Sequence, residues 1–254
     1  SVGATENAIL AAVSAKGKTI ISNCAIEPEI QDMILLLKKI GCNINFISKR
    51  KILIFGISEF KKASHEIIFD RIELGTYLIA GALVGKKIIL NKINSTIVNT
   101  EIKIMKKMGV RMKVEKSKIT VFESKKLNSI NVKTEAYPGF PTDLQAQIMV
   151  LMSKAKGISR VKESIFENRF MHVPELRRMG AKINIKNNIA TITGPTNLSG
   201  AEVMATDLRA SVSLVLAALV AENRTTINRV YHLDRGYENL EKKLRKCKAN
   251  INRV

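Results

Sequence analysis

The chain has 254 residues, 46% hydrophobic and only 5% aromatic, with 42 Lys and Arg against 22 Asp and Glu for a formal charge of +20. Such a length supports a sizeable core and one or two domains. The charge alone would suit a nucleic-acid binder, but the lysines are scattered, Lys, Ile and Asn are over-used together, and no RNA-recognition or helix-turn-helix signature accompanies them, so no nucleic-acid partner is expected. The longest apolar stretch, VSLVLAALVA at 212–221, is interrupted by Ser213 and falls far short of the roughly 20 residues of a membrane span. No membrane partner is expected, and SVGATENAIL does not read as a basic segment followed by an apolar one, so the expected location is the cytoplasm. Cys24, Cys42 and Cys247 are odd in number, with no CxxC pair and no histidine cluster; they read as buried or half-buried thiols, with neither a disulfide framework nor a metal site.

In chain order, four strongly apolar helices are expected: ATENAILAAVSAKG (4–17), ELGTYLIAGALVG (73–85), TDLQAQIMVLMSKAKG (142–157) and TDLRASVSLVLAALVAEN (206–223). Each is followed by a β-rich piece: KTIISNC, KKIILNK, ISRVKES and TTINRVY. Then comes an amphipathic helix whose end repeats as LLLKKIGCNINF, IKIMKKMGVRMKV, PELRRMGAKINI and EKKLRKCKANINRV. Gly41, Gly109 and Gly180 sit where a helix C-terminus favours a left-handed residue, and Lys248 occupies the same place in the fourth copy. Hairpin-like pairs such as INFISKRKILIFG and INIKNNIATITG close the units. One unit therefore reads helix, strand, helix, strand, turn, strand over roughly 70 residues, an internal repeat. Helices apolar on all sides call for burial, with strands and amphipathic helices around them. The repeat is ragged at both ends: the chain opens inside a helix at Ser1, not at Met, so further chain upstream is expected, and it closes on a strand expected at INRV.

Within AYPGFPTDLQAQ (136–147), Pro138 and Pro141 fix φ on either side of Gly139 and Phe140 and brace the carboxylate of Asp143. Two readings stand: Thr142 and Asp143 cap the following helix, or Asp143 is aimed out of it for chemistry.

SVGATEN (1–7), DRIELGTY (70–77), YPGFPTDLQAQ (137–147), ENRFMHVPELRRMGA (167–181), VMATDLRAS (203–211) and YHLDRGYENLEKKL (231–244) together resemble, in order, the UDP-N-acetylglucosamine 1-carboxyvinyltransferases. The resemblance implies an α/β fold of inside-out α/β barrels built from repeated βαβαββ units, incomplete here at the N-terminus. Residues 1–69 would be the last unit of a first domain, and residues 70–254 a second domain lacking its N-terminal strand. It implies transfer of the enolpyruvyl group of phosphoenolpyruvate to the 3-hydroxyl of UDP-N-acetylglucosamine with release of phosphate, without cofactor or metal. A relative acting on shikimate 3-phosphate shares the architecture, but FPTDLQ and NRFMHVPEL resemble the nucleotide-sugar enzyme more closely.

By the same resemblance Asp143 is the base, while Arg169 and Arg235 face the anionic groups of the substrates, for which a guanidinium fork suits phosphate or carboxylate. Asp207 would support the substrate and the arginines, with Arg209 pairing with it. Ile165 would offer backbone to the uracil side, and Ser1, Val2 and Gly3 would approach the diphosphate at a helix start. His172 and His232 read as structural. The family's acid cysteine and its early lysine belong to a segment not matched by these residues; none of Cys24, Cys42 and Cys247 fits that cysteine's motif. The isolated chain is therefore expected to be inactive. A split enzyme completed by a separate N-terminal half, a non-catalytic remnant and a basic nucleic-acid binder remain as alternatives.

Overall fold

The structure, a computed structural model, describes residues 1–124 and 126–254. By contact density the chain divides into two units, Ser1–Phe69 with Ala136–Pro138, and Asp70–Glu135 with Gly139–Val254.

The first unit contains α1 (Val2–Ala12), β1 (Lys18–Ser22), α2 (Pro28–Lys39), β2 (Asn43–Ser48) and β3 (Lys51–Phe55). Its sheet runs β1-β3-β2, both pairings antiparallel. The tight β2–β3 hairpin puts β3 in the centre, so that β1, made earlier, adds to its free edge. Ile9, Ile30, Ile34, Leu37, Ile44, Ile52 and Ile54 form the core, and each aliphatic side chain so buried stabilises by about 1.5–3 kcal/mol.

The second unit contains α3 (Arg71–Val84), β4 (Lys87–Asn91), α4 (Asn99–Lys107), β5 (Met112–Glu115), β6 (Lys118–Phe122), β7 (Asn131–Lys133), α5 (Gln145–Ser153), β8 (Gly157–Lys162), α6 (Val173–Arg178), β9 (Lys182–Lys186), β10 (Ile189–Gly194), β11 (Glu202–Met204), α7 (Leu208–Ala218), β12 (Thr226–Asn228) and α8 (Leu240–Lys246). The first-third-second strand order recurs as β4-β6-β5 and within β7-β8-β10-β9. Helices α3, α5 and α7 pack on one another; every residue of α5 is buried, as are eight of the eleven in α7. The apolar helices thus lie inside, and α4 and α6 keep basic last turns toward solvent. Their buried hydroxyls are satisfied within the helix: Thr76 donates to the Ile72 carbonyl at 2.9 Å and Ser213 to that of Ala210 at 2.7 Å.

Two short strands precede α5 and α7, β7 and β11, each parallel to the strand after its helix, β8 and β12. At Gly75 on α3 there is no room for a Cβ, which would overlap the Leu144 side chain beside the start of α5.

Gly41, Gly109 and Gly180 have φ of +105°, +92° and +92°, and Lys248 takes the equivalent left-handed conformation at +69°, as does Asn223 at +66°. The strand expected at INRV is absent: residues 247–254 are irregular. In the other units a hairpin supplies the central third strand that bridges first and second; with none here, a lone extended segment has no ladder to join. Instead Arg253 makes a bidentate ion pair with Asp234 at 2.7 and 2.6 Å. Cys24 and Cys42 are buried, as expected, but Cys247 is exposed, because α8 turns its last residues outward. Among the described residues, no helix is long and apolar enough to cross a membrane.

Candidate active site

Two helices of the second unit begin at a capping aspartate, and a third, α5, follows an aspartate that does not cap it. Asp70 accepts the amide hydrogens of Ile72 and Glu73 at the start of α3, and Asp207 those of Arg209 and Ala210, at 2.7 and 2.9 Å, at the start of α7. Asp143 does neither. Pro141, extended at φ −71° and ψ 137°, leads into a 3-10 turn over Thr142–Leu144, and no side chain caps either that turn or α5. The Asp143 carboxylate is held from outside, its Oδ1 by Arg169 Nη2 at 2.6 Å and its Oδ2 by Arg209 Nη2 at 3.0 Å. Its backbone carbonyl accepts from the buried Gln147 carboxamide at 2.9 Å.

The Asp143 side chain is 35% exposed, so the group stays accessible to a bound molecule. The Arg169 guanidinium lies 5.1 Å over the Phe166 ring and that of Arg209 5.9 Å from the Tyr237 ring. Burial opposes the charge on Arg209, but the Asp143 carboxylate and the Tyr237 hydroxyl prevail and hold it above its ordinary value. Tyr237 is itself buried, with its hydroxyl 2.9 Å from Thr76 Oγ1.

Arg209 was expected to pair with Asp207; its guanidinium goes to Asp143, because the Asp207 carboxylate is occupied in capping. The sequence signal for this was position two after the motif aspartate, where TDLQ has Gln145 and TDLR has Arg209. Arg235, an exposed cation at the end of the 3-10 turn Val230–Arg235, makes no ion pair with any carboxylate among the described residues. Ile165 projects its side chain 41% exposed, and its amide hydrogen is already donated to Glu163 Oε1 at 2.8 Å, which leaves its carbonyl free of that bond. Residues 163–171, with Ile185, Asn187 and Asn188, line an open pocket of about 1010 Å³ in which Arg169 sits.

In the first unit, Ser1, Val2 and Gly3 open α1. The Ser1 hydroxyl caps it, accepting from the Ala4 amide at 3.3 Å, and Gly3 borders open space. The first amides of a helix lack intrahelical acceptors and suit an anion.

His172, 2% exposed before α6, is lowered to about 4: burial dominates, Arg169 adds to it and Asp207 opposes it. His232 lies against Tyr231, with ring centroids 4.2 Å apart and the ring planes tilted by 37°. Burial raises the thiols of Cys24 and Cys42, which disfavours thiolate chemistry. Among the described residues no cluster of three or more His, Cys, Asp or Glu could hold a metal ion.

A carboxylate gripped by two guanidinium groups, in a repeated α/β fold, joins a group able to take up a proton with cations suited to anions. The family model described as EPSP synthase (3-phosphoshikimate 1-carboxyvinyltransferase) matches residues 1–244, and the chain belongs to this enolpyruvyl transferase family. It is 56% identical over its whole length to the UDP-N-acetylglucosamine 1-carboxyvinyltransferase of Pelagibacter ubique, covering 61% of that protein, and 50% identical to the second such enzyme of Mesorhizobium japonicum, again covering 61%. Among solved structures it resembles the enolpyruvyl transferase NikO from Streptomyces tendae, with a TM-score of 0.91, 29% identity, and coverage of 99% of this chain and 60% of that one. An EPSP synthase from Acinetobacter baumannii shares the fold at a TM-score of 0.75 and 16% identity, with coverage of 97% of this chain and 60% of that one. The chain spans about three-fifths of the length of the curated relatives it matches.

Proposed function

We propose that this chain supplies part of an active site that transfers the enolpyruvyl group of phosphoenolpyruvate to the 3-hydroxyl of UDP-N-acetylglucosamine, a step of peptidoglycan synthesis. The observation that carries this reading is the carboxylate of Asp143, withdrawn from helix capping and placed between Arg169 and Arg209. Identity of 56% to a relative bearing that activity's name supports the choice of acceptor.

In this reading the sugar hydroxyl loses its proton to Asp143 as its oxygen bonds to C2 of phosphoenolpyruvate, while a proton adds to C3. Loss of a proton from C3 and departure of phosphate from C2 then restore the double bond. Arg169 and Arg209 hold the Asp143 carboxylate in place and, with the exposed Arg235, offset the charge of phosphate and carboxylate. Asp207 orders α7 and through it Arg209. Ile165 borders the nucleotide, and Ser1, Val2 and Gly3 present the start of α1 to the diphosphate. Residues 1–69 are read as the last repeat of one domain and 70–254 as the second domain.

The acid for C3 is not among the residues placed here, so the 254 residues by themselves are inferred not to turn over. The test mixes the chain with the N-terminal two-fifths of the Pelagibacter ubique relative and follows phosphate release from phosphoenolpyruvate. Release that requires both pieces and UDP-N-acetylglucosamine, and that Asp143→Asn slows about a hundredfold or more, is the expected result. A folded mixture without turnover overturns the proposal.

A further inference from the structure

Glu163 directly follows β8, is 2% exposed, and has no cation paired with it among the described residues. A carboxylate so placed is costly to bury unless hydrogen bonds compensate it. Four donors do so. Oε1 accepts from Thr134 Oγ1 at 2.8 Å, from the Ile165 amide at 2.8 Å and from the Phe166 amide at 3.1 Å, and Oε2 accepts from Thr142 Oγ1 at 2.9 Å. A carboxylate, which offers only acceptors, suits such a set.

The donors come from three separate segments. Thr134 follows β7, Thr142 immediately precedes Asp143, and Ile165 and Phe166 begin the loop that carries Arg169. Both partners of the 2.6 Å Asp143–Arg169 ion pair therefore hang from one side chain: the acid through its neighbour Thr142, the arginine through the loop and the Phe166 ring beneath its guanidinium. The strand end does not need this carboxylate to stay in place. The Glu163 amide donates to the Asn188 carbonyl at 2.8 Å, and Asn188 Nδ2 donates back to the Glu163 carbonyl at 2.8 Å.

We propose that Glu163 is a positioning residue that sets the distance and angle between Asp143 and Arg169; the inference rests on the reading of Asp143 as the reacting base. Glu163→Gln preserves the arrangement, because its carbonyl oxygen can keep the three donors on one side while its amide donates to a Thr142 hydroxyl that turns to accept. Glu163→Ala releases all three segments.

The test uses the 254-residue chain, comparing wild type with Glu163→Ala and Glu163→Gln by amide hydrogen exchange and by the NMR signal of the Arg169 Nε–H. Glu163→Ala is expected to lower protection at Leu144, Ile165 and Phe166 about tenfold or more and to broaden the Arg169 signal, with the amides of Val161 and Ile192 in the sheet unchanged. Glu163→Gln is expected to restore both. Unchanged protection and an unchanged Arg169 signal in Glu163→Ala overturn the proposal. So does a loss spread evenly into β8 and β10, which marks a role in folding alone. Titration of the wild type with UDP-N-acetylglucosamine is read separately: no shift at residues 163–171 counts against the proposed substrate, whereas the exchange result still decides the role of Glu163.

Discussion

At Thr206-Asp207-Leu208 the carboxylate closes the end of α7 by accepting two amide hydrogens, whereas at Thr142-Asp143-Leu144 the same three residues pass through a 3-10 turn that leaves the carboxylate out. The difference lies in what precedes them. Pro141 fixes the approach to the Thr142 motif, the Thr142 hydroxyl is taken by Glu163, and Asp143 lies inside a 3-10 turn in place of the extended cap conformation seen at Asp207, φ −154° and ψ 172°. A repeated unit thus keeps its helix start and changes its use: one aspartate caps a helix, the other is held by two guanidinium groups. The two sites are linked through Arg209, whose amide is capped by Asp207 while its guanidinium holds Asp143.

The largest effect that would break this comparison is on chemistry. Asp143→Asn is expected to lower kcat roughly a hundred- to ten-thousand-fold in the two-piece phosphate-release assay, yet to change stability in urea by less than about 1 kcal/mol, since the pair is partly exposed. A large stability loss would make Asp143 a structural residue after all.

Acid should expose the next effect, at His172. Its native value of about 4 lies below the ordinary value of 6.5, so the unfolded chain binds the proton first. The contribution is fully present above pH 6.5 and is lost as pH falls toward 4. Between pH 7 and 5 this removes about 2 kcal/mol, and His172→Gln is expected to flatten that part of a stability-versus-pH curve measured by urea unfolding.

Asp207→Ala should cost about 0.5–2 kcal/mol, most of it recovered in Asp207→Ser, which can still cap. Recovery of stability in the serine variant, judged by thermal unfolding, would sharpen the contrast with Asp143. The smallest change is Lys248→Gly, expected to raise stability by about 1 kcal/mol by relieving the left-handed backbone at φ +69°.

The repeat was legible because its punctuation is physical. Gly41, Gly109 and Gly180 mark left-handed helix ends, and aligning Lys248 with them located a fourth such position without a glycine. Apolar helices announced their own burial. Strands β7 and β11, three residues each, carry too little pattern to be read, and INRV has strand composition without a neighbour to pair with. At the site, Asp143 and Arg169 were found through motif resemblance, while local composition left the cap reading of Asp143 open. Arg209 was assigned the nearer carboxylate, because chain proximity says nothing of which acceptor is already engaged. Glu163 lies at the end of an ordinary strand, and its partners are 21 to 29 residues away for the two threonines, so no local signal singles it out.

The missing side chain at Gly75 matters for how this chain could tolerate change. Leu144, the residue after the acid, rests against bare backbone there. Even a methyl group at that point would meet the tips of the Leu144 side chain and press on the turn that carries Asp143, with the sequence of that turn unchanged.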